Sequence, residues 1–228
     1  MKEAARTQDL IAALTQDAHR NSVRSKTSAR ALRLATFGKY WLVGAVIILA
    51  LSFWLLPRRE DFIDRLSRPE SYLLFVLWTL ATMLPALKVY ALAFPEGELS
   101  APFQRISRFA VAPIAILLAW SLAHLEFVDF QFQLFRESSY LNGGCGMVIL
   151  VAGALHATFL FSWIRRGATT SPVRAGAWAA VSTASFASFI VQFACANENP
   201  IHVLLWHFIP LMMLTAIAAT AAKRVFRW

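Results

Sequence analysis

Apolar residues in this chain come as long uninterrupted runs rather than as alternating positions or one helical stripe. The runs fall at 37–56, 70–94, 107–126, 143–164, 173–194 and 200–222, and short clusters of Pro, Gly and charge separate them. About 20 consecutive apolar residues make an α-helix long enough to cross the hydrocarbon core of a bilayer, so these runs predict six transmembrane helices. Little chain is left between them for an extramembrane domain. The fold class is all-α, a polytopic membrane protein built as a bundle of six transmembrane helices. No repeat with a period of roughly 20–50 residues overlies the pattern, which gives no support to a solenoid.

A different periodicity precedes the first run. Within Thr7-Gln-Asp-Leu-Ile-Ala-Ala-Leu-Thr-Gln-Asp-Ala18, the positions Leu10, Ile11, Leu14 and Ala18 mark one side of a short amphipathic helix. Thr7 suits the N-cap, and Asp9 lies in the first turn, where an acid complements the helix dipole. A helix of about 12 residues is marginal alone and needs a surface to fold against. Asp9 and Asp17 disfavour lipid, whose surface helices are rich in Lys and Arg, which leaves a groove on a partner protein or, as a structural anchor, a cytoplasmic end of the bundle. The basic stretch Arg20 to Arg33, with serines and a threonine interspersed, reads as a tether along an anionic membrane surface. The chain thus divides into a cytoplasmic N-terminal segment, 1–36, a transmembrane domain, 37–222, and a cytoplasmic tail, 223–228.

Composition sharpens the class. At 58% hydrophobic and 15% charged, the chain is no ordinary soluble domain, since charged residues there run nearer a quarter. The net charge of +9 is distributed by topology. With the N-terminus inside, sixteen Lys and Arg residues fall on the cytoplasmic side and five on the outer side, which places both termini in the cytoplasm. Lys88, within the second run, has a side chain long enough to snorkel to the interface. Basic residues so placed face anionic lipid, and no direct nucleic-acid contact is expected. In a bacterial-type inner membrane the outer side of this topology is oxidising.

This topology puts Cys145, at the start of the fourth span, and Cys195, at the close of the fifth, on the outer and oxidising side. A short inner loop makes these two spans antiparallel neighbours, although a disulfide would need Cα atoms within about 7 Å. His124, His202 and His207 lie at the same level, and thiolate with imidazole suits soft and borderline metals. On a regular helix His202 and His207, five residues apart, are separated by about 140° and do not share a face. Two readings stay open here: a disulfide flanked by interface histidines, or a thiol-based redox or metal sensor. Deep in the fourth span, His156 is expected to be neutral and hydrogen-bonded to a neighbouring helix. Trp41, Trp120 and Trp163 fit interfacial belts. The small residues of 175–185 place the fifth span inside the bundle.

An enzyme is the competing class, as a membrane thiol oxidoreductase. It needs a second redox pair, and the chain has two cysteines. A small metal transporter using the same Cys/His cluster is the other alternative, and no buried pairs of acids support it. No enzymatic activity and no resident cofactor are expected.

The Asp9-Leu-Ile-Ala-Ala-Leu-Thr-Gln-Asp17 segment, the six spans, the Gly-Gly-Cys145 opening of the fourth and the stretch Cys195-Ala-Asn-Glu-Asn-Pro-Ile-His-Val-Leu-Leu-Trp-His-Phe-Ile-Pro210 together resemble the NrsF family of integral-membrane anti-sigma factors. Ala196 stands where members often carry proline. The resemblance implies that the N-terminal segment, through Asp9, Leu10, Ile11, Leu14 and Asp17, holds an extracytoplasmic-function sigma factor at the membrane until a stress is sensed outside. It assigns the sensing to Cys145 and Cys195, with heavy-metal ions or oxidants as signals.

Overall fold

The computed structural model describes residues 32–226 apart from 55, 57–60, 62, 65–66, 94–104, 126–143, 168, 196 and 198. The amphipathic segment 7–18 lies outside the described residues. Two compact units divide the chain at 39/40, and the packing that follows is that of residues 40–228.

Six helices account for the described chain, and no strand occurs among the described residues. They are α1 (Leu32–Trp54), α2 (Pro69–Ala93), α3 (Ala112–Ala123), α4 (Gly144–Ile164), α5 (Pro172–Val191) and α6 (Pro200–Val225). Each apolar run of the sequence is therefore a helix. Among the described residues five of them are long and apolar enough to cross a membrane, with the third counted from Arg105 through α3. Proline sets several starts. It occupies the first turn of α2, α3, α5 and α6, where its missing N–H costs no helical bond. Before α3 the chain winds in tighter turns, with Arg108, Phe109 and Ala110 each bonding the carbonyl three residues back. Pro113 explains the change, because its ring would collide with the carbonyl four residues earlier in a continuous α-helix. Residues 32–36, ahead of the expected boundary, are already helical in α1. Thr36 there donates to the Leu32 carbonyl at 2.7 Å.

α5 is the helix left out of those five, and its position explains why. α2, α4 and α6 all pack against it, and twelve of its twenty residues are buried, so its side chains meet other helices rather than the outside of the bundle. Small residues permit this closeness. A Cβ on Gly176 would lie 2.5 Å from the Ala222 Cβ and 2.7 Å from the Ala218 carbonyl oxygen of α6. Polar side chains of α5 serve as cross-links: Trp41 Nε1 donates to Ser182 Oγ at 3.4 Å, and Ser182 Oγ donates to the Thr82 carbonyl of α2 at 2.9 Å. The outer faces of the surrounding helices carry large exposed apolar residues, among them Val46, Phe53, Val151 and Met212.

His156 behaves as its depth requires. It is fully buried, and its Nε2 donates to the Trp41 carbonyl of α1 at 3.0 Å. Trp163 departs from expectation. Rather than facing an interface it is 1% exposed and stacks on Tyr90 of α2 at 5.9 Å. A tryptophan near a span end satisfies either environment, and packing between α2 and α4 decides this one.

Candidate Cys/His site at the end of the bundle

Cys145 is the second residue of α4, and Cys195 lies four residues beyond the end of α5. Between Cys195 and α6 the chain is tied into a compact corner by two asparagines. Asn197 Oδ1 accepts from the Asn199 N–H at 3.0 Å, and Asn199 Oδ1 caps α6 by accepting from the Ile201 N–H at 2.8 Å. That corner carries Cys195 back onto the first turn of α6. Its Sγ lies 3.3 Å from His202 Nε2, and its thiol can donate to the Asn197 carbonyl at 3.7 Å.

His207 joins them because α6 is not regular. After the α-helical turn Pro200–Val203, residues Leu204–Phe208 form a π turn, in which the Ile209 N–H bonds the Leu204 carbonyl five residues back. Pro210 gives a local reason. It has no N–H for the Trp206 carbonyl, and its ring would strike that carbonyl in a tight α-turn. A wider turn relieves both faults. In a π turn the hydrogen-bonded repeat is five residues, so residues five apart sit nearly above one another, within roughly 50°, instead of about 140° apart. His202 and His207 accordingly meet edge to face, with ring centroids 5.9 Å apart. The expectation that these two do not share a face is thereby corrected.

α4 closes the site. Cys145 reaches the α6 histidines because its neighbour is glycine: a Cβ on Gly146 would lie 2.8 Å from the Trp206 ring and 3.3 Å from Pro210 Cγ. The donor atoms of Cys145, Cys195, His202 and His207 all lie within 4.8 Å of one another. Both histidines are buried, at 2% and 1% exposure, and both cysteines are half-buried thiols. The hydrogen bond from Cys145 holds the Cys195 thiol well below its ordinary range; bonds from His202 and His207 act in the same sense, and burial opposes them. Gln192 sets its amide nitrogen 3.5 Å from His207 Nδ1, which leaves Nε2 as the other donor atom of that ring. Trp78 of α2 walls the far side, 6.4 Å from the His207 ring. Two thiols with two imidazoles can be oxidised as a pair or can ligate a metal.

His124 is not brought into this group. It is exposed at the end of α3, its ring lies 4.5 Å from that of Trp120, and its Nδ1 donates to the Trp120 carbonyl at 2.8 Å. It lines a cavity of about 330 Å³ together with Trp78, Gln192 and Asn197. Asp9, Leu10, Ile11, Leu14 and Asp17, expected to bind a partner, lie outside the described residues. Gln192 and the supporting contact at Gly146 were missed by sequence reasoning. Pro210, four residues after Trp206, was the available signal for an irregular helix.

A family model described as NrsF, negative regulator of sigma F, matches residues 19–228. No curated protein and no solved structure matches the chain.

Proposed function

The chain belongs to the NrsF family, negative regulators of sigma F, and on that premise we propose that it is a membrane-bound anti-sigma factor switched by its Cys/His cluster. All six helices cross the bacterial inner membrane in this proposal, α5 included, since a helix enclosed by its neighbours does not need an apolar exterior. Both termini face the cytoplasm, and the cluster faces the periplasm. The N-terminal helix around Leu10, Ile11 and Leu14, flanked by Asp9 and Asp17, holds an extracytoplasmic-function sigma factor away from RNA polymerase. A short amphipathic helix suits a reversible grip.

The observation that carries the sensing half is the convergence of Cys145, Cys195, His202 and His207 within 4.8 Å. α4, the connection between α5 and α6, and α6 supply those residues, so a change in bonding among them alters how α4, α5 and α6 pack. An oxidant acting as signal takes two electrons from the thiol pair; one S–S bond forms and two protons leave. A metal ion displaces thiol protons instead. Either event biases bundle packing, and the N-terminal segment responds by releasing its sigma factor.

Two measurements test this. The sigma factor should co-purify with the full-length protein, and the Leu10→Ser, Ile11→Ser, Leu14→Ser triple variant should lose it while still inserting in the membrane. In cells carrying a sigma-dependent reporter, the Cys145→Ser, Cys195→Ser double variant should still repress but no longer respond to oxidants or heavy metals. A normal response from that variant removes the cysteines from sensing. An intact protein that binds no sigma factor of its host returns the cluster to the oxidoreductase or transport alternatives.

A further inference from the structure

We propose that Cys145, Cys195, His202 and His207 form a closed four-ligand site for a divalent d10 cation, zinc or cadmium, whose fourth ligand is delivered by the π turn of α6. The proposal rests on the sensing role above and names the chemistry of that cluster.

The donor set comes first. Two thiolates and two imidazoles form a four-coordinate set typical of zinc, whereas magnesium and calcium demand six or more oxygen ligands, and the Asn197 and Asn199 oxygens of this corner already accept from backbone N–H groups. Charge is the second point. Two thiolates cancel the charge of a divalent ion while neutral imidazoles add none, so the loaded site carries no net charge into a half-buried position. Spacing is the third. Bonds of about 2.3 Å to sulfur and 2.0–2.1 Å to nitrogen give a tetrahedron with edges of about 3.3–3.8 Å. The Cys195 Sγ to His202 Nε2 edge is already 3.3 Å, and the widest separation in the group is 4.8 Å. A contraction of about 1 Å on the longest edge, within the reach of side-chain rotation, completes it.

The surroundings fit a held ion rather than a catalytic one. Catalytic zinc keeps an open fourth position, whereas here all four positions come from the protein. Gln192 beside His207 Nδ1 is an outer partner of the kind that orients ligating histidines, and rotation of its amide presents either an N–H or an oxygen to that nitrogen. Gln192 and Asn197, the neighbours of the site, also line the cavity of about 330 Å³ bordered by His124. The π turn is required throughout. On a regular helix His207 would point away from His202, so ligation and the wide turn stabilise each other.

The test uses the full-length protein in detergent micelles, reduced and stripped of metal, titrated with cobalt(II) as the spectroscopic probe. The expected spectrum combines the intense visible bands of four-coordinate cobalt with a near-ultraviolet thiolate-to-metal charge-transfer band, and both vanish when zinc or cadmium displaces the cobalt. His202→Ala and His207→Ala should each weaken binding by at least about 100-fold, and Gln192→Ala by about 10-fold. His207→Cys keeps four ligands, so it should retain cobalt with a stronger charge-transfer band; a variant that merely misfolded would not. Unchanged spectrum and affinity in both histidine-to-alanine variants would reduce the site to a thiol pair and overturn the proposal, as would a protein that binds no cobalt. The sigma-dependent reporter, run on the same variants, separates the two levels. Cobalt bound by all four residues with an unaltered reporter response sinks the sensing role and leaves the metal site standing. A response that needs both cysteines in a protein that binds no cobalt sinks the metal site and leaves thiol sensing standing.

Discussion

One added methyl group tests the geometry of the site without touching a ligand. In Gly146→Ala the new Cβ would stand 2.8 Å from the Trp206 ring, 3.3 Å from Pro210 Cγ and 3.4 Å from the Trp206 carbonyl oxygen. Carbon atoms attract best at about 3.5–4.0 Å, so the first contact requires a separation of roughly 0.7 Å or more. The indole could turn by itself, but the proline ring and the carbonyl belong to the π turn and move only with α6. Overpacking of this kind costs about 1–3 kcal/mol, against about 1 kcal/mol gained when alanine replaces glycine inside a helix. The net expectation is a loss of up to about 2 kcal/mol, together with a shift of Cys145 away from the histidines.

Gly144→Ala is the matched control, since the same methyl two residues earlier meets nothing within 4 Å. At about 2–4 °C per kcal/mol for a chain of this size, thermal unfolding in detergent should place Gly146→Ala several degrees below Gly144→Ala. Cobalt affinity should fall in the first and hold in the second. Equal melting temperatures and equal affinities for the two variants would refute the close approach of α4 to the π turn, and with it the placement of Cys145.

The other expectations concern protonation, packing and register. In reduced, metal-free protein, Cys195 ionises below the ordinary thiol range, so its alkylation rate, followed by mass spectrometry, should stay nearly flat from about pH 9 to pH 6. The linked stabilisation is fully present above the unfolded thiol value and disappears as pH falls through the lowered folded value; a tenfold loss of rate per pH unit, as in denaturant, would contradict the hydrogen bonding at Sγ. Gly176→Leu pushes a side chain against Ala222 Cβ and the Ala218 carbonyl, so α5 and α6 must part and thermal stability should drop by about 3 kcal/mol, a loss that an unchanged melting curve would exclude. Deleting Leu205 together with Pro210→Ala removes both the extra residue and the proline that opposes a tight turn, so an ordinary α-turn with the two histidines at i, i+4 should form and cobalt binding should survive; its complete loss would show that the π turn does more than set spacing.

That last deletion shows where the sequence was legible and where it was not. Run length and the Pro, Gly and charge clusters between runs located all six helices, because both are properties of the chain and need no tertiary information. The Ala, Ser and Thr content of 175–185 placed α5 inside the bundle for an equally local reason: small side chains are useful where helix backbones approach. His202 and His207 failed the same treatment because their spacing was read against a constant of 3.6 residues per turn. The register in which they meet is fixed by Pro210, which removes one helical hydrogen bond, and by the packing of Trp206 on Gly146, 60 residues earlier in the chain. His124 and Trp163 were judged by depth, which says nothing of direction around a helix.

The π turn holds one residue more than the α-turn it replaces, so everything C-terminal to it is rotated by about 100° and displaced by about 1.5 Å from the course of an uninterrupted helix. Ile209–Val225, which ends on Lys223 and Arg224, lies wholly beyond the turn and packs along α5 and α4. A ligand set that needs the wide turn and a distal helix that inherits its register therefore share a single backbone variable. In the proposed site, ligation through His202 and His207 would stabilise one value of that variable, and the opposite end of the helix would adopt it.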